Sequence, residues 1–237
     1  RVLFRSLAPR VRPGAVVRVE LNGRRVDAWV IALGTVGESG FTTVSVDRLS
    51  PVLDVADLGV DPSVVPLAEW VAEHWAGPLR NVLMSATPSR KRARTAHARR
   101  RAAGVTEVAG SAELSRLLDG AGGLLRVAPL ESAMSVVVET ARRGSVLVLC
   151  PTLRMARLGS AWLRRQGLST AELPDQVDAA IAGVDVVIGA RSAVFAPCDG
   201  LSAIVVIDEH EESYHEERVP TWWAPEIAWK QIGRAHV

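Results

Sequence analysis

The chain has 237 residues, 48% hydrophobic and 23% charged, with 28 basic and 26 acidic side chains. That composition fits one large or two small globular domains and excludes a disordered or low-complexity chain. No apolar run approaches the ~18–20 residues that span a bilayer, and two cysteines, Cys150 and Cys198, cannot build a disulfide framework or a four-thiolate zinc site. The two thiols therefore read as small core residues in a reducing, cytoplasmic setting, without a membrane partner.

Both ends look foreign. Residues 1–6 can be encoded by CGTGTGCTCTTCCGATCT, and residues 231–237 by a string containing its reverse complement, AGATCGGAAGAGCACACG. That string resembles a common sequencing adapter, so residues 1–6 and 231–237 are expected to be read-through scars on a fragment, and are set aside from fold reasoning. Without Arg1, Arg5 and Arg234 the cations fall one short of the acids. Net charge is then no argument for nucleic acid; only its distribution can be one.

Residues 7–50 read as a β-rich module. Val16-Val17-Arg18-Val19-Glu20-Leu21 and Arg25-Val26-Asp27-Ala28-Trp29-Val30-Ile31 flank Asn22-Gly23, the strongest short hairpin signal. Thr42-Thr43-Val44-Ser45-Val46 reads as a third strand. Residues 62–83 are helical in spacing, with Val65, Leu67, Ala68, Trp70, Val71 and Trp75 on one side and Pro78 as a limit. Residues 89–101 then carry seven cations, no acid and no large apolar residue, so they form an exposed linker or arm within residues 89–106.

The rest alternates in an α/β manner over residues 107–230. Helical spacing covers residues 112–118, 132–142 and 153–166. Apolar strands are expected over residues 145–150, 184–189 and 203–207. Continuous apolar strands between helices indicate a parallel sheet covered on both faces.

The sharpest motif ends the last of these strands: Ile204-Val205-Val206-Ile207-Asp208-Glu209-His210-Glu211. Open α/β sheets bind ligands at that C-terminal edge. In nucleotide motors a first carboxylate holds Mg²⁺ and the second orients the attacking water. Asp208 and Glu209 are the nucleotide-binding candidates, against the alternative of an ordinary acidic turn after a core strand.

DNA-contact candidates are cationic. Arg10, Arg12, Arg18, Arg24 and Arg25 cluster on the N-terminal strands, opposed by Glu20 and Asp27. Arg90, Lys91, Arg92, Arg94, Arg99, Arg100 and Arg101 form the linker run, which reads equally as a solvated arm. Each neutralised phosphate adds salt-sensitive affinity, and a basic rim on a small β module suits single-strand ends or fork backbones. Trp29, Trp70 and Trp75 could stack on bases, but their apolar neighbours favour core packing. The roles of Trp222 and Trp223 stay open. The histidines show no metal-ligand spacing.

Gly189-Ala190-Arg191-Ser192-Ala193-Val194-Phe195-Ala196-Pro197, then Asp208-Glu209-His210-Glu211 and Tyr214, resemble the motif order of the primosomal replication-restart PriA family of superfamily 2 helicases. The third and fourth members of the acidic box are swapped relative to that pattern. Pro13-Gly14-Ala15-Val16-Val17-Arg18-Val19 resembles the family's module that captures a DNA 3′ end. Ser50-Pro51-Val52-Leu53-Asp54 and Leu67-Ala68-Glu69-Trp70-Val71-Ala72 resemble its winged-helix segment, expected over residues 51–88.

The resemblance implies a RecA-like helicase lobe over residues 107–230, with zinc-binding cysteines and an arginine finger only beyond the fragment. It implies forked DNA or a single-strand 3′ end, and primosome and replisome proteins, as partners. The phosphate loop that should precede residue 145 is missing. Gly120-Ala121-Gly122-Gly123-Leu124-Leu125-Arg126-Val127-Ala128-Pro129-Leu130-Glu131 contains no lysine. Glu131 would face triphosphate; two like charges ~4 Å apart near a surface repel by about 4 kcal/mol. Arg126 is the one substitute for the absent lysine.

This decay resembles the actinobacterial branch of the family. The expected function is DNA-binding replication restart without helicase activity, and no cofactor is assigned. The rivals are an ATP- and Mg²⁺-dependent 3′→5′ helicase in the complete protein and a protein-interaction scaffold.

Overall fold

The computed structural model describes residues 7–35, 45, 48–88, 112–120, 122–128 and 132–235. It is an α/β protein of two compact units, Arg1–Arg92 and Ala93–Val237.

In the first unit, β1 (Ala15–Leu21) and β2 (Arg24–Trp29) form the expected antiparallel hairpin, in register from Val16↔Trp29 to Leu21↔Arg24. Asn22 and Gly23 turn the chain with φ of 50° and 74°, the pair of positive values that a two-residue hairpin loop requires. The expected strand at residues 42–46 lies outside the described residues, apart from Ser45. Beside β1 lies β3 (Val52–Gly59), also antiparallel, in the order β2-β1-β3. The sequence reading opened its winged-helix segment at residue 51; residues 52–59 instead complete the β-sheet. Their pattern explains why: Val52 and Val55 join the sheet's apolar cluster with Ala15, Val17 and Val19, and Asp54 stands opposite Arg18.

The helical spacing resolves into α1 (Val64–His74) and α2 (Leu79–Ala86). The break has a full C-terminal cap: Ala76 takes φ 46°, Gly77 N–H donates to Ala72 O at 2.8 Å, and Ala76 N–H donates to Glu73 O at 3.2 Å. Pro78 then restarts the chain with extended backbone. Val64, Val65, Leu67, Ala68 and Val71 of α1 and Val82 and Leu83 of α2 are buried.

In the second unit four parallel strands lie in the order β5-β6-β4-β7: β4 (Ser145–Leu149), β5 (Thr170–Glu172), β6 (Val186–Gly189) and β7 (Leu201–Val206). Helices α3 (Ala112–Asp119), α4 (Ala133–Ala141) and α5 (Leu153–Arg165) follow the sequence reading within two residues at each end. β5 and α6 (Val177–Ala182) were not anticipated, because three residues carry no readable alternation and six carry less than two helical turns. Nor was α7 (Ala224–Ala235), which runs into the stretch set aside as foreign.

Val146, Val148 and Cys150 face α4 and α5 in one core with Met134, Val137, Val138, Ala156, Leu163, Val186 and Ile188. Leu147 and Leu149, equally buried, point to the opposite face by strand alternation. Thus the fully apolar strand is covered on both sides, as its composition predicts. Asp185, buried ahead of β6, accepts hydrogen bonds from Ser169 N at 2.8 Å and Ser169 Oγ at 2.6 Å, which fixes β5 beside β6. Among the described residues no helix is long and apolar enough to cross a membrane.

Candidate nucleic-acid interface and acidic box

The five N-terminal arginines divide by what already holds them. Arg18 projects from β1 between two carboxylates. Its Nε lies 2.9 Å from Asp27 Oδ1 and its Nη2 3.4 Å from Asp27 Oδ2, and Asp54 is its partner in register on β3. The hydrogen bond to Asp27, then that carboxylate's charge and to a lesser degree Asp54, raise the Arg18 pKa. On the same face Glu20 stands opposite Arg25. Cross-strand pairs of opposite charge favour this register, and they leave the face nearly neutral. Arg10 Nη2 donates to Val55 O at 2.7 Å, which ties the chain entering β1 to β3.

Arg24 and Arg25 are exposed beside the Asn22-Gly23 turn, and Arg12 is half-buried. The structure therefore brings Arg24 and Arg25 together at the hairpin tip and commits Arg10 and Arg18 to the fold. Arg90, Lys91, Arg92, Arg94, Arg99, Arg100 and Arg101 lie outside the described residues.

The aromatic residues are not simple core. Trp29 is half-buried and donates from Nε1 to Thr87 Oγ1 at 3.0 Å, joining the end of β2 to the end of α2. Trp70 stacks on exposed His74 with centroids 4.8 Å apart, and Trp75 meets them edge-on at 5.5 and 4.5 Å. Both tryptophans are half-buried. Core packing was the sequence expectation; the α1 stripe places Val64, Leu67, Ala68 and Val71 inward and leaves these rings at its margin.

The acidic box sits where the strand pattern puts it, past the C-terminal end of β7. Ile207 is buried and its N–H donates to Leu149 O at 2.9 Å. Asp208 then turns the chain with φ 49° and is exposed, while Glu209 is half-buried. Glu211 N–H closes the turn on Asp208 O at 3.0 Å. Tyr214 fixes this turn to the sheet: its hydroxyl lies 2.9 Å from Leu149 O and 2.6 Å from Ile207 O, and the side chain is fully buried. Burial, then the neighbouring Cys150, Asp208 and Glu211, push its pKa far up, so it stays a donor.

A Mg²⁺-nucleotide site combines one or two carboxylates with the nucleotide's own phosphates and a loop that grips them. Among the described residues no three His, Cys, Asp or Glu side chains are grouped to hold a metal. Residues 122–128 form neither strand nor helix, Arg126 is exposed, and the segment has no lysine. Residues 129–131, with Glu131, lie outside the described residues.

Cys150, at the end of β4, is fully buried, as expected; Cys198 is only half-buried. Burial, with a smaller contribution from the Asp208 charge, pushes the Cys150 thiol up to about 12. Burial disfavours the thiolate, so at pH 8 its thiolate fraction is about one in ten thousand. Iodoacetamide at pH 8 should therefore modify Cys198 in the native chain and reach Cys150 only after denaturation, as read by peptide mass spectrometry.

Sequence reasoning missed Arg191 as an organiser. Its Nη2 lies 3.3 Å from Glu216 Oε2, its Nη1 donates to His215 O, and its guanidinium stands 5.8 Å from the Trp222 ring centroid. The motif containing Arg191 was legible; its partners, 24 and more residues away, were not.

Residues 4–88 match the family model described as the 3′ DNA-binding domain (3′BD) of PriA. The chain is 48% identical over 48 residues to a replication restart protein PriA of Bacillus subtilis, 20% of this chain and 6% of the relative. It is 32% identical over 112 residues to that of Thermotoga maritima, 42% of this chain and 15% of the relative. With the protein of the same name from Treponema pallidum it shares 29% over 196 residues, 71% of this chain and 30% of the relative. The chain thus spans under a third of the length of each of these relatives. An antiparallel unit matched by a DNA-binding-domain model, followed by a parallel sheet ending in an acidic box, defines a two-unit α/β protein whose first unit is similar to a DNA-binding domain. The chain is similar to PriA-type proteins, at modest identity and over part of its relatives' length.

Proposed function

We propose that this chain is the DNA-binding part of a replication-restart protein that engages forked or branched DNA, including a single-strand 3′ end, without hydrolysing ATP itself. The match of residues 4–88 to a 3′ DNA-binding domain carries this reading. Primosome and replisome proteins are its expected partners, and the cytoplasm its expected setting. Within the first unit, Arg24 and Arg25 supply the phosphate contacts, since Arg10 and Arg18 are occupied internally. The residues of the linker run add sequence-independent affinity.

Fluorescence anisotropy with a labelled forked oligonucleotide across a salt series tests this. Replacing both Arg24 and Arg25 by glutamine should weaken binding and flatten the slope of log K against log salt by about one per arginine. Arg18→Gln should change that slope little. Equal effects at all three positions, or none, would count against the assignment.

One observation favours a second reading. Asp208 and Glu209 occupy the sheet edge at which nucleotide motors hold Mg²⁺, consistent with an ATP-dependent helicase in the complete protein. DNA-stimulated ATP hydrolysis by the full-length protein, abolished by Asp208→Asn, would establish that reading and displace the first.

A further inference from the structure

Helix α5 has thirteen residues, four of them arginines and none acidic. Arg154, Arg157, Arg164 and Arg165 recur at helical spacing along its outward side and are exposed, while Ala156, Gly159, Ser160 and Leu163 face the core. The four are not equivalent. Arg157 lies 3.8 Å from Asp175, and Arg164 lies 3.0 Å from Glu172 and 3.2 Å from Gln176. Those two are internally balanced. Among the described residues, Arg154 and Arg165 have no acidic partner.

The two unbalanced arginines differ in what the helix itself does to them. Arg165 is in the last turn, where a cation is stabilised by the helix dipole. Arg154 is the second residue of α5, in a first turn with no acid, where the dipole opposes positive charge. A cation held against the dipole, exposed and without a carboxylate, contributes nothing favourable to the free fold. Its charge gains a favourable term only when an external anion arrives.

We propose that the outer face of α5 is a second DNA-contact surface, which takes the phosphate backbone through Arg154 and Arg165. It rests on the reading of the chain as a DNA-binding protein, but lies in the unit that the 3′ DNA-binding-domain match does not reach. The eleven residue-to-residue steps from Arg154 to Arg165 span about 16 Å at 1.5 Å per step. That length runs past about five phosphates of one duplex strand, at roughly 3.4 Å per phosphate. Two cations at the ends of such a span, with two balanced ones between them, follow a backbone without reading bases.

The test uses the full chain and the same labelled fork. The double variant Arg154→Gln/Arg165→Gln should melt close to the parent, because among the described residues neither side chain is bonded and their opposite helix-dipole contributions offset. It should weaken binding and flatten the salt slope by about 1.4–1.8, at roughly 0.7 to 0.9 per phosphate contact. Arg157→Gln/Arg164→Gln should flatten it by less, since those charges are already balanced. An unchanged affinity and slope for Arg154→Gln/Arg165→Gln, with Arg24→Gln/Arg25→Gln still impaired, overturns the α5 surface and leaves the N-terminal reading standing. Parent chain that does not bind the fork at all overturns both. Loss of binding to polyglutamate with fork binding intact would assign the face to an acidic protein segment instead.

Discussion

Replacing Gly14 by alanine is expected to disrupt the first unit and, with it, binding to forked DNA. Gly14 opens β1 with φ 83°, and a Cβ built there would lie 2.4 Å from Val60 O and 3.0 Å from Val60 Cγ2. The contact is with backbone, so no rotamer change relieves it. The same residue is bonded on both sides: its N–H donates to Val30 O at 2.7 Å and its carbonyl accepts from Val60 N–H at 2.9 Å. A non-glycine residue held in the left-handed region costs roughly 1–3 kcal/mol, and overpacking adds about 1–3 more. Set against total stabilities of about 5–15 kcal/mol, that is a large fraction. Hydrogen exchange is the direct readout: amides of Val16, Val17, Val30 and Val60, the last two donating to Ala15 O and Gly14 O, should lose protection while those of Val146, Leu147 and Val148 keep theirs. Parent-like protection across β1 in the variant would sink the prediction.

The sequence showed Pro13-Gly14 as part of a motif but could not say what the glycine does. The conflict is with Val60, 46 positions away, and only the closing of β3 on β1 creates it. The same limit recurs elsewhere. Asn22-Gly23, β4 and the acidic box were legible because each signal is local: a turn dipeptide, a continuous apolar run, two carboxylates after a strand. β3 was misassigned because its justification is non-local, an Asp54 that balances Arg18 across the ladder. The arginine cluster shows the cost of this. From composition, Arg10, Arg12, Arg18, Arg24 and Arg25 are one basic rim. In the fold, Arg10 serves a backbone carbonyl and Arg18 an ion pair, while Arg24 and Arg25 stand exposed at the hairpin tip. Conversely, the α5 arginines drew no notice in the sequence, because they are interleaved with the apolar residues that define the helix.

Trp222 and Trp223 are adjacent and equally uninformative in sequence, yet the two should behave very differently on truncation. Trp222 is 1% exposed. It meets Phe195 edge-on at 5.3 Å and 84°, and lies under the Arg191 guanidinium at 5.8 Å. Its carbonyl accepts from Glu216 N–H at 2.9 Å, and Glu216 in turn holds Arg191. Trp222→Ala removes a buried indole and leaves a cavity, at a cost of about 3–5 kcal/mol; losing the cation–π contact adds roughly 0.5–1 kcal/mol. For a unit of this size each kcal/mol shifts the melting temperature by about 2–4 °C, so a fall of roughly 7–24 °C is expected. Trp223 is half-buried and stacks on exposed His215 at 5.7 Å and 12°. Its truncation forfeits about 1 kcal/mol of ring contact and only part of its burial. Thermal melts of the two variants, followed by circular dichroism, decide the matter. A Trp222→Ala protein within 2 °C of the parent (about 1 kcal/mol or less), or a larger loss for Trp223→Ala, would remove Trp222 as the anchor. Arg191 and Glu216 would then carry the larger share in holding the loop of residues 215–223, and Arg191→Ala should become the costlier change.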